Sequence, residues 1–145
     1  MHYQTIEYME IMDFFESYKT AAWQKDAKAM INLYDENLTV FDMWEQGYLT
    51  DSTQWKNIIE QWLGSLGEEK VKVDFEMISI HHSGNTGFAS ALIKFQAISP
   101  DGSVLRSMKN RITLGFLKTN NVWKVVHQHT SAPISSNGLT AILDI

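Results

Sequence analysis

Apolar residues recur at helical spacing through the front of the chain. Ile6, Met9, Phe14, Tyr18 and Ala21 share one side of a helix that runs to Trp23 without glycine or proline. Asp26 is placed to cap a second helix, whose buried face carries Met30, Ile31 and Tyr34. A short strand, Leu38 to Met43, follows. Asp51 and Gln54 resemble a capping box at the start of a third helix. Trp55, Ile58, Ile59, Trp62, Leu63 and Leu66 lie on one face of it, and Gly67 suits its end.

The period then changes from helical to alternating. Val71, Val73, Phe75 and Met77 alternate with Lys72, Asp74 and Glu76, as in a strand buried on one face. Ser83-Gly84-Asn85 is a turn, and a second strand runs from Phe88 to Ile98. Ser99-Pro100-Asp101-Gly102 turns again into a long strand, Ser103 to Leu117, in which Gly115 marks a bulge or bend. Lys118-Thr119-Asn120-Asn121 leads into the final strand, Val122 to Thr130. Three successive hairpins make a meander, and helices followed by strands define an α+β fold. The tail from Ala132 ends in Leu139-Thr140-Ala141-Ile142-Leu143-Asp144-Ile145. So apolar an end is expected to dock on its own sheet or on a partner subunit.

Composition narrows the partners. At 145 residues the chain suits one domain with a real core. A net charge of −5 and the lack of any Lys/Arg stripe argue against nucleic acid. No cysteine is present, which removes disulfides, thiol catalysis and cysteine-ligated zinc. No apolar run reaches membrane-spanning length, and the first residues lack the blocks of a signal peptide. A cytoplasmic protein is therefore expected. Five Trp, five Tyr and seven Phe supply flat apolar surface, either for a well-packed core or for a ligand pocket.

The closing segment, Trp123-Lys124-Val125-Val126-His127-Gln128-His129-Thr130-Ser131, resembles the last strand of SnoaL-like members of the nuclear-transport-factor-2-like superfamily. There a Trp is followed by a His-x-His-x-Ser ending. Arg111 with Thr113 on the preceding strand also resembles that branch. Similar endings occur in the association domain of calcium/calmodulin-dependent protein kinase II, which carries an arginine where this chain has Thr130. The resemblance implies a cone-shaped, strongly curved antiparallel sheet (the cystatin-like roll), with three N-terminal helices closing a pocket. It also implies a homodimer through the sheet face.

The front half is similar to ketosteroid isomerase. Leu38-Thr39-Val40-Phe41-Asp42 resembles the strand carrying that family's general base, which implies the role for Asp42. Tyr18 falls where the family has its oxyanion-donating tyrosine. The second oxyanion donor falls near Thr113 or Arg111, and neither is acidic.

Each candidate also has a structural alternative. Asp42 is either a base in a dry pocket or a loop aspartate capping a turn near Gly47. Tyr18 faces inward in both cases, since a buried hydroxyl needs a partner. Arg111 either holds an anionic ligand or pairs with Asp42 or Glu45. His127 and His129 share one strand face and make either two metal ligands or a hydrogen-bonded or subunit-contact pair; no third ligand is signalled. Trp44, in a loop, is a candidate for ligand stacking or for an interface; Trp55 and Trp62 share a helical face and are first of all core residues, with the pocket wall as their alternative. The expected function is binding of a small carbonyl- or carboxylate-bearing molecule in an internal cavity without a cofactor. Tyr34, Trp44, Trp62, Arg111, Thr113, His127 and His129 would line it. Proton-transfer isomerase, cyclase or dehydratase chemistry through Asp42 and Tyr18 is one alternative; a non-catalytic oligomerisation module is the other.

Overall fold

A computed structural model describes residues 5–145; the opening residues read above for a leader fall mostly outside that range. The first helix, α1, spans Ile6–Gln24. Thr5 caps it, its hydroxyl accepting the Tyr8 N–H at 3.0 Å. Lys25 ends it in the left-handed conformation. The buried face is Ile11, Phe14, Phe15, Tyr18, Ala21 and Ala22, while Ile6 and Met9 are exposed, contrary to expectation. Their turn stands at the tip of a hairpin, where Thr5 Oγ1 meets His82 Nε2 at 2.8 Å. Little sheet remains beyond that tip to cover them.

A five-residue helix, α2 (Ala27–Ile31), follows, with Asp26 Oδ1 accepting the Ala29 N–H at 3.0 Å. Tyr34 does not belong to it. The Val125 N–H bonds to the Leu33 carbonyl at 3.0 Å, drawing the chain into the sheet, so Tyr34 opens strand β1 (Tyr34–Phe41). Strand β2 (Tyr48–Leu49) leads to α3 (Ser52–Gly64), whose cap Asp51 accepts the Thr53 N–H. Strands β3 (Lys70–Ser83), β4 (Thr86–Ile98), β5 (Val104–Thr119) and β6 (Val122–Ser131) complete the fold.

The six strands form one open sheet in the order β2-β1-β6-β5-β4-β3. Pairing is antiparallel throughout except between β1 and β6, which run parallel and are separated in the chain by α3 and the strands β2 to β5. The sheet curves around α1 and α3. Phe14, Phe15, Tyr18, Tyr34, Trp55, Phe75 and Phe116 pack edge-on or tilted against one another at ring separations of 4.8–6.4 Å. At Gly87 the helix lies so close that an added Cβ would meet Ile11 Cδ1 at 2.9 Å and the His81 carbonyl at 3.2 Å. Among the described residues no helix is long and apolar enough to cross a membrane.

Two bulges decide which side chains face the core. On β3 the register shifts between Glu76 and Ser79, with Met77 at φ 56°. Val71 and Val73 are buried before the bulge. Met77, expected to face inward with them, is instead 80 % exposed. On β6 an extra residue stands opposite the Gly115/Phe116 step, where Phe116 pairs with Val125 and Gly115 with His127. Val125 is buried before that bulge and Gln128 after it, so His127 and His129 turn outward.

Beyond β6 the chain folds back on itself, the Ile142 N–H bonding the Pro133 carbonyl at 2.8 Å. The Lys109 N–H then donates to the Leu143 carbonyl at 2.7 Å, and Asp144 bridges to Lys109 in parallel. This segment lies beside the part of β5 that β6 no longer covers.

Candidate functional site

Between the concave sheet face and α3 lies a cavity of about 1030 Å³, large enough for a drug-sized organic molecule. Its wall is mainly apolar and aromatic. Trp55, Ile59 and Trp62 come from α3, Tyr18 from α1, Tyr34 from β1, and Phe95 from β4, set edge-on to Trp62 at 5.9 Å. Trp44, Glu45 and Gln46 come from the turn between β1 and β2.

Asp42 sits where β1 ends. Its backbone N–H bonds the Gly47 carbonyl at 2.9 Å, and Glu45 and Gly47 take positive φ to close the turn. The carboxylate accepts from Thr130 Oγ1 at 3.2 Å and lies close to the backbone N–H groups of Trp44 and Met43. Thr130 Oγ1 in turn accepts the Met43 N–H at 3.1 Å. Asp42 is therefore both the turn-capping residue and a cavity-lining acid. Burial outweighs these hydrogen bonds and raises its pKa above the usual carboxylate value, with the Glu45 charge adding to the rise.

Two tyrosines complete this end. Tyr18 packs on Phe14 and Phe75, and among the described residues no side chain hydrogen-bonds its hydroxyl. Burial, and then the Asp42 charge, raise its pKa well above the ordinary phenol value. The Tyr34 hydroxyl donates to Gln128 Oε1 at 2.6 Å; burial, and then neighbouring Tyr18, push its pKa up as well. Trp55 Nε1 lies near this hydroxyl without a well-aligned bond. Both tyrosines stay protonated, so both can donate to an oxygen.

The charged residues of the lining are Asp42, Glu45 and Arg106. Arg106 is neutralised by Glu69, Nη2 to Oε2 at 2.6 Å. Among the described residues Asp42 takes part in no ion pair.

Of the residues singled out in the sequence, Tyr18, Tyr34, Asp42, Trp44 and Trp62 line the cavity. Arg111, Thr113, His127 and His129 do not. Met108, Ile112 and Leu114 share one parity along β5, and alternation sends Arg111 and Thr113 to the other face. Arg111 Nε donates to Ser131 Oγ at 3.0 Å, so neither the pairing with Asp42 or Glu45 nor an anionic cavity ligand applies to it. His127 Nδ1 contacts Thr39 Oγ1 at 2.9 Å, and both histidine rings stand edge-on to Phe41 on the outer face. Among the described residues no three His, Asp or Glu side chains converge to hold a metal ion. The sequence reading missed Asn110, Gln128 and Thr130, which do line the cavity. The parity of Asn110 with Met108, Ile112 and Leu114 was the signal that could have found it.

A helix-packed, curved sheet around such a cavity defines the class. In solved structures the fold is that of an NTF2-like protein of unknown function from Pseudomonas putida, with a TM-score of 0.85 and 20% identity, each chain covered to 99%. A putative calcium/calmodulin-dependent protein kinase II association domain from Xanthomonas campestris shares it, at TM-score 0.73 and 15% identity, over 100% of this chain and 99% of that one. So does Aln2 from a Streptomyces species, at TM-score 0.75 and 13% identity, over 90% and 93%. The sequence pattern of the SnoaL-like domain matches residues 11–135, and the chain belongs to that family. A search of curated proteins finds no match.

Proposed function

We propose that the cavity binds a small carbonyl-bearing molecule and that Asp42 exchanges a proton with it. The observation that carries this reading is the grouping of Asp42, without an ion-pair partner among the described residues and raised in pKa, with the Tyr18 hydroxyl on one apolar cavity. A carboxylate whose pKa is lifted toward the working pH is a better proton acceptor than an ordinary surface aspartate. Tyr18, protonated and without a side-chain partner among the described residues, donates to the carbonyl oxygen as negative charge develops there. Atoms balance in a proton transfer of this kind: Asp42 takes a proton from the carbon next to the carbonyl, and the enolate returns it at another carbon or expels a leaving group. Isomerase and dehydratase outcomes share that first step. The carboxylate-bearing ligand expected from the sequence loses its anchor, because Arg111 lies on the other face. Turnover of 3-keto steroids and a small β-keto panel, with Asp42→Asn as control, tests the reading. Indistinguishable activity in that variant would sink it.

The outer face supports a second, compatible role in homodimer formation. Phe41 is 47 % exposed there, beside His127 and His129, and the same fold is found in the putative kinase association domain from Xanthomonas campestris. Because the two faces of the sheet are separate, pairing through one leaves the cavity on the other open. Phe41→Glu should lower the mass measured by light scattering, and an unchanged mass would count against this role.

A further inference from the structure

β5 sends one polar side chain into the interior that the acid–base reading leaves idle. Asn110 is 2 % exposed and lines the cavity between Met108 and Ile112. Its backbone is served by the sheet, where it pairs with Ile93. Its side-chain Oδ1, however, is buried with no hydrogen-bond partner among the described residues. Buried side-chain polar atoms are nearly always bonded, and an unbonded one weakens the fold that holds it. An apolar residue of similar volume would avoid that cost, yet an amide stands here on the cavity wall, where a rotation about its soft χ2 presents the oxygen to a ligand.

The sheet register places this amide relative to the acid. Asp42 follows Phe41, which pairs with His129, so Asp42 adjoins Thr130; Thr130 pairs with Ile112. Asn110 is the next inward residue along β5. Two strand spacings across and one same-face step along the strand put Asn110 on the order of 10 Å from Asp42. Apolar Ile112 lies between them.

Resting on the cavity reading above, we infer that Asn110 is a second ligand anchor, hydrogen-bonding an oxygen at the end of the molecule remote from Asp42 and Tyr18. The ligand class is then an extended apolar body with an oxygen function at each end. The amide carries both a donor and an acceptor, so either a hydroxyl or a carbonyl fits it.

The test uses the full chain and two probes, para-hydroxybiphenyl and its para,para′-dihydroxy analogue, which place one or two oxygens on the same apolar body. Binding is followed by the fluorescence of the cavity tryptophans, Trp44, Trp55 and Trp62. Wild type should bind the dihydroxy probe about ten-fold or more tightly than the monohydroxy one. In Asn110→Leu that advantage should fall below about two-fold, with the monohydroxy affinity held. The melting temperature of this variant without ligand should stay level or rise by about 2–4 °C. Asn110→Ala, which cannot overpack, should lose the same preference. Retention of the preference in both variants overturns the inference, and so does a wild type that binds the two probes equally. A wild type that binds neither probe counts against the cavity reading itself, and this inference falls with it.

Discussion

Neighbouring residues of β5 and β6 live in two different environments. Asn110, Ile112, Gln128 and Thr130 look into the cavity, while Arg111, Thr113, His127 and His129, their immediate neighbours in sequence, look away from it. The outer face holds more of the residue types associated with chemistry. The inner face holds fewer, but they are buried or half-buried and grouped, and burial is what changes their behaviour. Burial raises the pKa of Asp42, Tyr18 and Tyr34. A polar group therefore counts toward function here according to the face it occupies more than its identity.

The largest expected contrast between the faces is in turnover. Asp42→Asn should lower turnover of a carbonyl substrate by about 100-fold or more, whereas His129→Ala should change it by less than about two-fold. Equal losses in steady-state assays would erase the distinction. Stability should separate the faces next. Leu114→Ala, removing a fully buried side chain, should cost about 2–5 kcal/mol in denaturant unfolding, against about 0.5 kcal/mol or less for the adjacent exposed Thr113→Ala.

Tyr34→Phe would leave Gln128 Oε1 buried without its donor, and should cost about 1–3 kcal/mol in the same measurement. The smallest effect is a pH dependence. Burial raises the folded-state pKa of Asp42 above its ordinary value of 3.8, so the folded chain holds that proton more firmly than the unfolded chain. Its contribution to stability is fully present below pH 3.8 and is lost as pH rises through the folded-state pKa. Asp42→Asn should accordingly be more stable than wild type near neutrality, with the difference vanishing under acid. A thermal melting series in pH checks the sign, and a wild type more stable than the variant at neutral pH would contradict it.

Much of the fold was legible in the chain. Helical spacing in the front half and alternation in the back half set the order of elements, and the turn residues between them set the hairpins. The Asp26 and Asp51 caps fell where expected because a short acceptor side chain ahead of an apolar periodic run has few other uses. Of the candidate site, Tyr18, Tyr34, Asp42, Trp44 and Trp62 were legible as residues of an inward face or of the turn beside it. Tyr34 was placed on the wrong element, because the bond from Val125 that draws it into the sheet is formed with a strand about 90 residues later.

Sequence by itself therefore determined the elements, their order and the apolar faces available to form a core. Only the tertiary structure decided which face each polar residue of the late strands would occupy. A strand's side chains alternate strictly, so one extra residue at a bulge reverses every assignment beyond it. The bulge opposite Gly115 places Gln128 and Thr130 inside and the two histidines outside, and the Met77 bulge does the same for the residues after it on β3. Whether a strand takes up such a residue depends on its partner's register, and that is settled by packing between segments distant in sequence.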